Sequence, residues 1–249
     1  MFKKYQDYET AATVVFGILF FVLEKFNSTR HIDRRSQIKT DIQSFLLLIV
    51  SINISRAVLN MVFNRADVLN FFVFLKPVHK LPSFFKVLIG LCTIDFITYW
   101  IHRGMHTWRV LWHTHEWHHS SPILYWFSGF RTSFFHAFIF AIPQVFFAFY
   151  VFNLSMREAS FAFGLGTFFQ FWTHSNITVQ IPIFEKLILT PQYHRIHHSK
   201  GANQNKNFSF YLTLWDRLFG TYVDPASVSD DYKIGLSYER SKAKMMVGV

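Results

Sequence analysis

The sequence predicts an all-α, multi-pass transmembrane helical bundle of about four to five spans. A cytoplasmic helical cap would carry a His-ligated site for two metal ions. Three observations carry this expectation. The 249 residues are 51% hydrophobic and 20% aromatic, and only 16% are charged, where a soluble domain carries about 25%. The apolar residues gather in long runs separated by basic loops. Nine of the 13 histidines fall in four short groups with helical spacing.

The apolar runs are Thr10–Leu23, Ile42–Phe63, Phe84–Ile101, Phe134–Phe152 and Ala159–Trp172. A span takes roughly 20 residues, so the first and last are short and suit a thinned bilayer or a shallow hairpin. Val68–Leu75 is shorter still and reads as interfacial, and Pro77 and Pro82 break the segment after it. Lys3 and Lys4 precede the first run, but Glu24 and Lys25 follow it in place of a small-residue cleavage site. No cleavable leader is expected. Cys92 is the single cysteine, which excludes a disulfide within the chain.

Charge sets the expected orientation. The loop after the first run holds Lys25, Arg30, Arg34, Arg35 and Lys39, and cytoplasmic loops collect such cations. Counting five spans from there places the nine clustered histidines on the cytoplasmic side, with Lys186, Arg195, Lys200, Lys206, Arg217, Lys233, Arg240, Lys242 and Lys244. This bias accounts for the net charge of +10 without nucleic acid, since no basic stripe interleaves with aromatics. The last residues, Met246–Val249, hold no endoplasmic-reticulum retrieval signal. A bacterial inner membrane is therefore preferred to the endoplasmic reticulum.

The histidines are His102 and His106 (H-x-x-x-H), His115, His118 and His119 (H-x-x-H-H), His174, and His194, His197 and His198 (H-x-x-H-H again). Positions i, i+3 and i+4 share one helix face, so each group aims its imidazoles together. Nine ligands suit two metals with four or five each. Imidazole accepts iron, zinc, copper and nickel alike, so the ligands alone do not choose. Asp95, Tyr99, His102 and His106 lie along one helical stripe. A carboxylate inside a span needs a partner, so Asp95 and Tyr99 are expected behind the ligands or on a proton path; a bond to a neighbouring helix is the plainer reading. The chain also echoes itself. Tyr99-Trp100-Ile101-His102 precedes one triplet and Phe171-Trp172-Thr173-His174 the other, with Thr178 where His106 would recur. A shared geometric demand explains the echo more simply than duplication.

From Asp95 to Asp224 the motifs resemble those of the fatty acid hydroxylase and sterol desaturase superfamily. They are Asp95-x-x-x-Tyr99-Trp100-x-His102-Arg103-x-x-His106, Leu111-Trp112-x-x-His115-x-x-His118-His119-Ser120, Pro191-x-x-His194-Arg195-x-His197-His198-Ser199 and Trp215-Asp216-Arg217-Leu218-Phe219-Gly220-Thr221-Tyr222. Arg131, Gln170-Phe171-Trp172-x-His174 and Thr190-Pro191 look nearest to the alkylglycerol monooxygenase-like branch and its bacterial relatives. The resemblance implies an O2-dependent oxidoreductase that hydroxylates or desaturates a lipid. It implies two iron ions on the nine histidines, O2 as co-substrate, and a separate electron donor: a reductase, a cytochrome b5-like protein, a ferredoxin or a pterin. It divides the chain into an N-terminal membrane region (1–83), a catalytic domain (84–224) and a C-terminal tail (225–249). Two stretches depart from the family pattern, Pro122–Trp126 and Asn205–Ser209.

Other residues carry weaker expectations. His136, near the start of an apolar run, could approach the site but reads more simply as lying outside it, His113 reads as interfacial, and His31 and His79 as loop residues. Arg131 either anchors a headgroup or carboxylate or snorkels to the interface. Asp216 either orients a histidine or, more simply, pairs with Arg217. Trp215 and Phe219 read as packing. A haem-b reductase would need histidines facing each other inside spans, and a cation transporter more mid-span acids than Asp95. A non-catalytic, zinc-stabilised lipid-binding protein of the same fold is the remaining alternative.

Overall fold

The computed structural model describes residues 2–179, 186–229 and 231–249. Among the described residues, four helical segments are long and apolar enough to cross a membrane: Thr10–Asn27, Arg35–Val62, Ser83–Thr107 and Phe134–Val151. Helix α1 is Phe2–Asn27, α2 is Arg35–Val62, and α3 and α4 are the short Arg65–Phe71 and Lys76–His79. They are followed by α5 (Ser83–Thr107), α6 (Arg109–His119), α7 (Phe134–Val145) and α8 (Met156–His174). Helix α1 packs against α8 and α2 against α7. Their outer faces expose Val14, Val15, Ile18, Leu46, Ile49 and Val50. An apolar surface of that extent is stable only against lipid.

Each helix boundary has a local cause. Helix α5 follows Pro82 and runs 25 residues, or about 37 Å at 1.5 Å per residue. This exceeds the roughly 30 Å hydrocarbon core, and His102 and His106 fall in its last two turns. Trp108 then adopts an extended backbone and α6 starts at Arg109. Ser133 caps α7 by accepting from the His136 N–H. Pro143 removes a donor inside α7, and the helix widens into a π turn over Phe146–Val151, a common relief for a lost i→i−4 bond. Ser155 and Glu158 form a capping box at the start of α8.

The fifth apolar run forms α8 but is not among the four span candidates. It packs mainly against α1. Val68–Leu75 forms part of α3 and a 3-10 turn with Phe71, Val73 and Phe74 exposed. Beyond α8 the described chain folds over the ends of α5 and α6 as short helices and loops.

Candidate metal centre and cavity

The nine clustered histidines come together from four segments. They sort into two groups whose ligand-capable nitrogens lie within 4.8 Å of one another: His102, His106, His115, His119 and His197, and His118, His174, His194 and His198. Each triplet is divided. The i and i+4 members, His115 with His119 and His194 with His198, stay together; the i+3 members, His118 and His197, cross to the other group. All nine are buried except His106, which is half-buried.

Hydrogen bonds behind the rings determine which nitrogen faces inward. His102 Nδ1 donates to the Phe208 carbonyl at 2.7 Å, His118 Nδ1 to Arg131 at 3.0 Å, His174 Nδ1 to Gln170 at 2.9 Å and His197 Nδ1 to Lys206 at 2.7 Å. A neutral imidazole that donates through Nδ1 keeps a bare lone pair on Nε2. Yet His118 Nε2 and His174 Nε2 lie 3.1 Å apart, so two lone pairs face each other with no proton between them. His102 Nε2 meets His115 Nε2 at 3.0 Å, and further Nε2 contacts of 3.1 Å link His119 to His115, His194 to His174 and His198 to His194. His106 has no partner on either nitrogen, and His197 none on Nε2. A cation within each group relieves this repulsion and satisfies these buried atoms. The donor set therefore fits two metal ions, with carbonyls behind the ligands as metal-bound imidazoles usually have. Burial above all, then the neighbouring rings, pushes His115, His118, His119, His194, His197 and His198 well below the ordinary imidazole range. Ligand histidines must be neutral, so this environment favours the competent form.

Two carboxylates fasten the covering loop. Asp95 accepts the backbone N–H of Phe210, Tyr211 and Leu212 and the Trp215 indole N–H. Asp216 accepts from Tyr193, Thr221 and the N–H groups of Phe208 and Ser209. Neither carboxylate touches a histidine ring. Both instead hold the strand of chain whose Phe208 carbonyl receives His102. The Tyr99 hydroxyl pairs with Thr221 and accepts from Arg103, likewise one step removed from the rings. The expected ion pair of Asp216 with Arg217 does not form: Asp216 is wholly buried, and Arg217 stacks its guanidinium on Tyr222. Adjacent helical residues point to different faces, so one side chain goes in and the next goes out.

Arg131 neither snorkels nor faces a headgroup. It is buried, with Nε 2.6 Å from the Asp41 carboxylate and a second bond to Gln37. Asp41 also accepts from Tyr125. This network supports the Arg131 carbonyl behind His118. His136 packs against His115, with their Nδ1 atoms 2.9 Å apart; His113 sits outside both groups beside Glu116. Gln204 reaches His119 Nδ1 at 3.3 Å. Gly129 passes so close to His174 that a Cβ there would lie 2.7 Å from Nδ1, which requires glycine at that turn. Asp41 and Gln204 escape a reading by His spacing. The signal for Asp41 is an acid at the edge of an apolar run, the feature that singles out Asp95.

A cavity of about 220 Å³ opens beside the two groups. His102, His115, His118, His174 and His194 form its polar end, and Leu48, Ile52, Phe140 and Phe163 are among its apolar walls. The Thr132 hydroxyl, on the same wall, is buried without a hydrogen-bond partner.

Comparison with known proteins agrees with this architecture. A fatty acid hydroxylase family model matches residues 87–221, more than half of the chain. Alkylglycerol monooxygenase of Xenopus tropicalis is 31% identical over 141 residues, covering 52% of this chain and 29% of that protein. An ornithine lipid hydroxylase of Rhizobium tropici is 31% identical over 146 residues, covering 58% and 44%. Lathosterol oxidase of Rattus norvegicus is 30% identical over 148 residues, covering 57% and 46%. The chain spans less than half the length of these relatives. No solved structure matches. With the histidine groups, the apolar helices and a match that takes in all nine clustered histidines, the chain belongs to the fatty acid hydroxylase family.

Proposed function

We propose that this protein is a membrane-embedded, O2-dependent lipid oxidoreductase, a hydroxylase or desaturase, that holds two iron ions on its nine clustered histidines. The observation that carries this reading is the opening of both histidine groups onto one largely apolar cavity between membrane helices. The relatives named as an alkylglycerol monooxygenase, an ornithine lipid hydroxylase and a lathosterol oxidase support a lipid as the substrate. When bound, iron supplies reductive activation of O2 and oxidation of a C–H bond.

The chain's own residues do the rest. Carbonyls of Phe208, Arg131, Gln170 and Lys206 hold four rings in the tautomer that offers Nε2 inward. Phe140, Phe163 and Ile52 exclude water and align an apolar chain beside His102, His118 and His174. Asp95 and Asp216 keep the covering loop closed over the first group. Residues 84–224 are the catalytic unit in this reading, residues 1–83 its membrane base and 225–249 a tail. The site lies on the cytoplasmic side, where the charge distribution puts it and a separate electron donor reaches it, in a bacterial inner membrane by preference.

The test is metal analysis joined to turnover. Protein prepared under iron-replete conditions should hold close to two iron ions per chain and consume O2 only with a reductant and a membrane lipid. Cells carrying His197→Ala with His198→Ala should reproduce the lipid profile of a deletion. A full zinc complement, no iron and an unchanged lipid profile would establish the zinc-stabilised binding protein instead.

A further inference from the structure

The large cavity does not end at a plain apolar wall. His136, Phe140 and Gln144 line it from one face of α7 at i, i+4 and i+8. Gln144 thus lies about 12 Å from the His136 level, at 1.5 Å per residue. It falls in the middle of the span candidate Phe134–Val151. There Gln144, Phe163 and Tyr211 divide the cavity from a second, smaller space of about 30 Å³ walled by Val87, Gly90 and Phe152. Along α5 the two spaces follow in line, Thr98 and His102 beside the first and Val87, Gly90, Leu91 and Ile94 beside the second.

Two of the three dividing residues are polar. Among the described residues, none hydrogen-bonds the Gln144 amide or the Tyr211 hydroxyl. Both side chains are half-buried and face the cavity, the amide from the middle of a span candidate, and a polar group lining an apolar cavity without a hydrogen-bond partner is costly. A buried polar group without a protein partner is satisfied by water or by a ligand. The neighbouring glycine keeps room for the phenol: a Cβ on Gly166 would lie 3.1 Å from the Tyr211 hydroxyl oxygen.

We infer that Gln144 and Tyr211 form a second recognition point, about 12 Å from the histidine end, that reads an oxygen-bearing group on the lipid and discriminates against a bare hydrocarbon chain. The amide supplies a donor and an acceptor and the phenol either, so a ligand hydroxyl can donate to or accept from each, and an ether oxygen can accept from them. This rests on the lipid-oxidoreductase reading above and adds a specificity determinant to it.

The test is equilibrium binding to the metal-loaded protein in nanodiscs, by displacement of a fluorescent fatty alcohol with dodecane, 1-dodecanol and methyl dodecyl ether. Wild type should prefer the oxygenated ligands to dodecane by about tenfold, the scale of one or two net hydrogen bonds. That ratio should fall to about one in Gln144→Leu with Tyr211→Phe. Because all three ligands partition into the same nanodiscs in each experiment, the change in ratio between proteins isolates the site. Gly166→Ala, which displaces the phenol without removing a polar group, should lower the ratio in the same direction and controls for misfolding of the double variant. An unchanged ratio in both variants, as a water-filled gap would produce, overturns the second recognition point and leaves the lipid reading intact. Failure of the fluorescent alcohol to bind wild type at all overturns the lipid reading itself.

Discussion

The two halves of the histidine site are built on one plan and finished differently. His102, His115 and His119 correspond to His174, His194 and His198, each set of three serving one centre. His118 and His197 are exchanged between them. The first centre has a fifth member, His106, whose counterpart in the second half is Thr178, bonded instead to Thr29. The supports differ too. Asp95 and Asp216 fasten the loop whose carbonyl backs His102, while the Arg131–Asp41 pair stands behind His118. The exchange means that neither half makes a centre alone; α6 must dock on the Pro191–His197 helix before either is complete. The surplus ligand makes the first centre the more tolerant of loss.

The sharpest way to break this comparison is to remove the two exchanged histidines separately. His118→Ala leaves the second centre three ligands, and His197→Ala leaves the first centre four. Metal analysis should show His118→Ala losing about one equivalent, an affinity loss beyond the roughly 10–100-fold typical of a group behind a ligand, and His197→Ala retaining most of both. Equal losses would show that the fifth ligand offers no reserve.

Next in size are the carboxylates. Asp95→Asn and Asp216→Asn should each cost about 1–3 kcal/mol of stability by chemical denaturation, because buried N–H groups lose a charged acceptor. They should loosen metal mainly at the first centre, whereas Asp41→Asn should loosen it at the second. Metal loss that is the same for all three variants would show that the supports are shared.

Acidification probes both halves together. Burial holds the α6 and Pro191–His197 imidazoles below their ordinary range. The unfolded chain takes up protons near pH 6.5 that the folded one refuses. The chelated protein should therefore be most stable above about pH 6.5 and lose stability as the pH falls below it. A melting temperature independent of pH between about 7 and 5 would contradict the neutral, buried rings.

The smallest expected effect lies at the C-terminal segment. Arg240 pairs with Glu116, and Tyr238 donates to Glu116 and accepts from Trp112. Trp112 in turn packs against His106 and His119. Arg240→Met leaves the buried Glu116 carboxylate with Tyr238 as its donor, so it should lower the melting temperature while its effect on metal reaches only the first centre. A loss of metal from the second centre would show that the tail supports both.

Much of this was legible before any coordinates. Low charge and long apolar runs require helices, because a bilayer leaves no partner for an unpaired backbone. The H-x-x-H-H spacing requires imidazoles on one helix face. Asp95 was visible as an acid that needed partners, but the partners are backbone groups more than a hundred residues away. Asp216 looked like a pair for Arg217 because they are adjacent in sequence; in the fold the carboxylate turns inward to the Phe208 and Ser209 amides. Sequence alone determined the helical membrane class and the nine histidines, since both follow from local composition and periodicity. Only the tertiary structure decided the division into five and four, the exchange of His118 and His197, and the polar partition at Gln144 and Tyr211. Those depend on which helix faces meet, and a period of 3.6 residues specifies the direction of a side chain without specifying its partner.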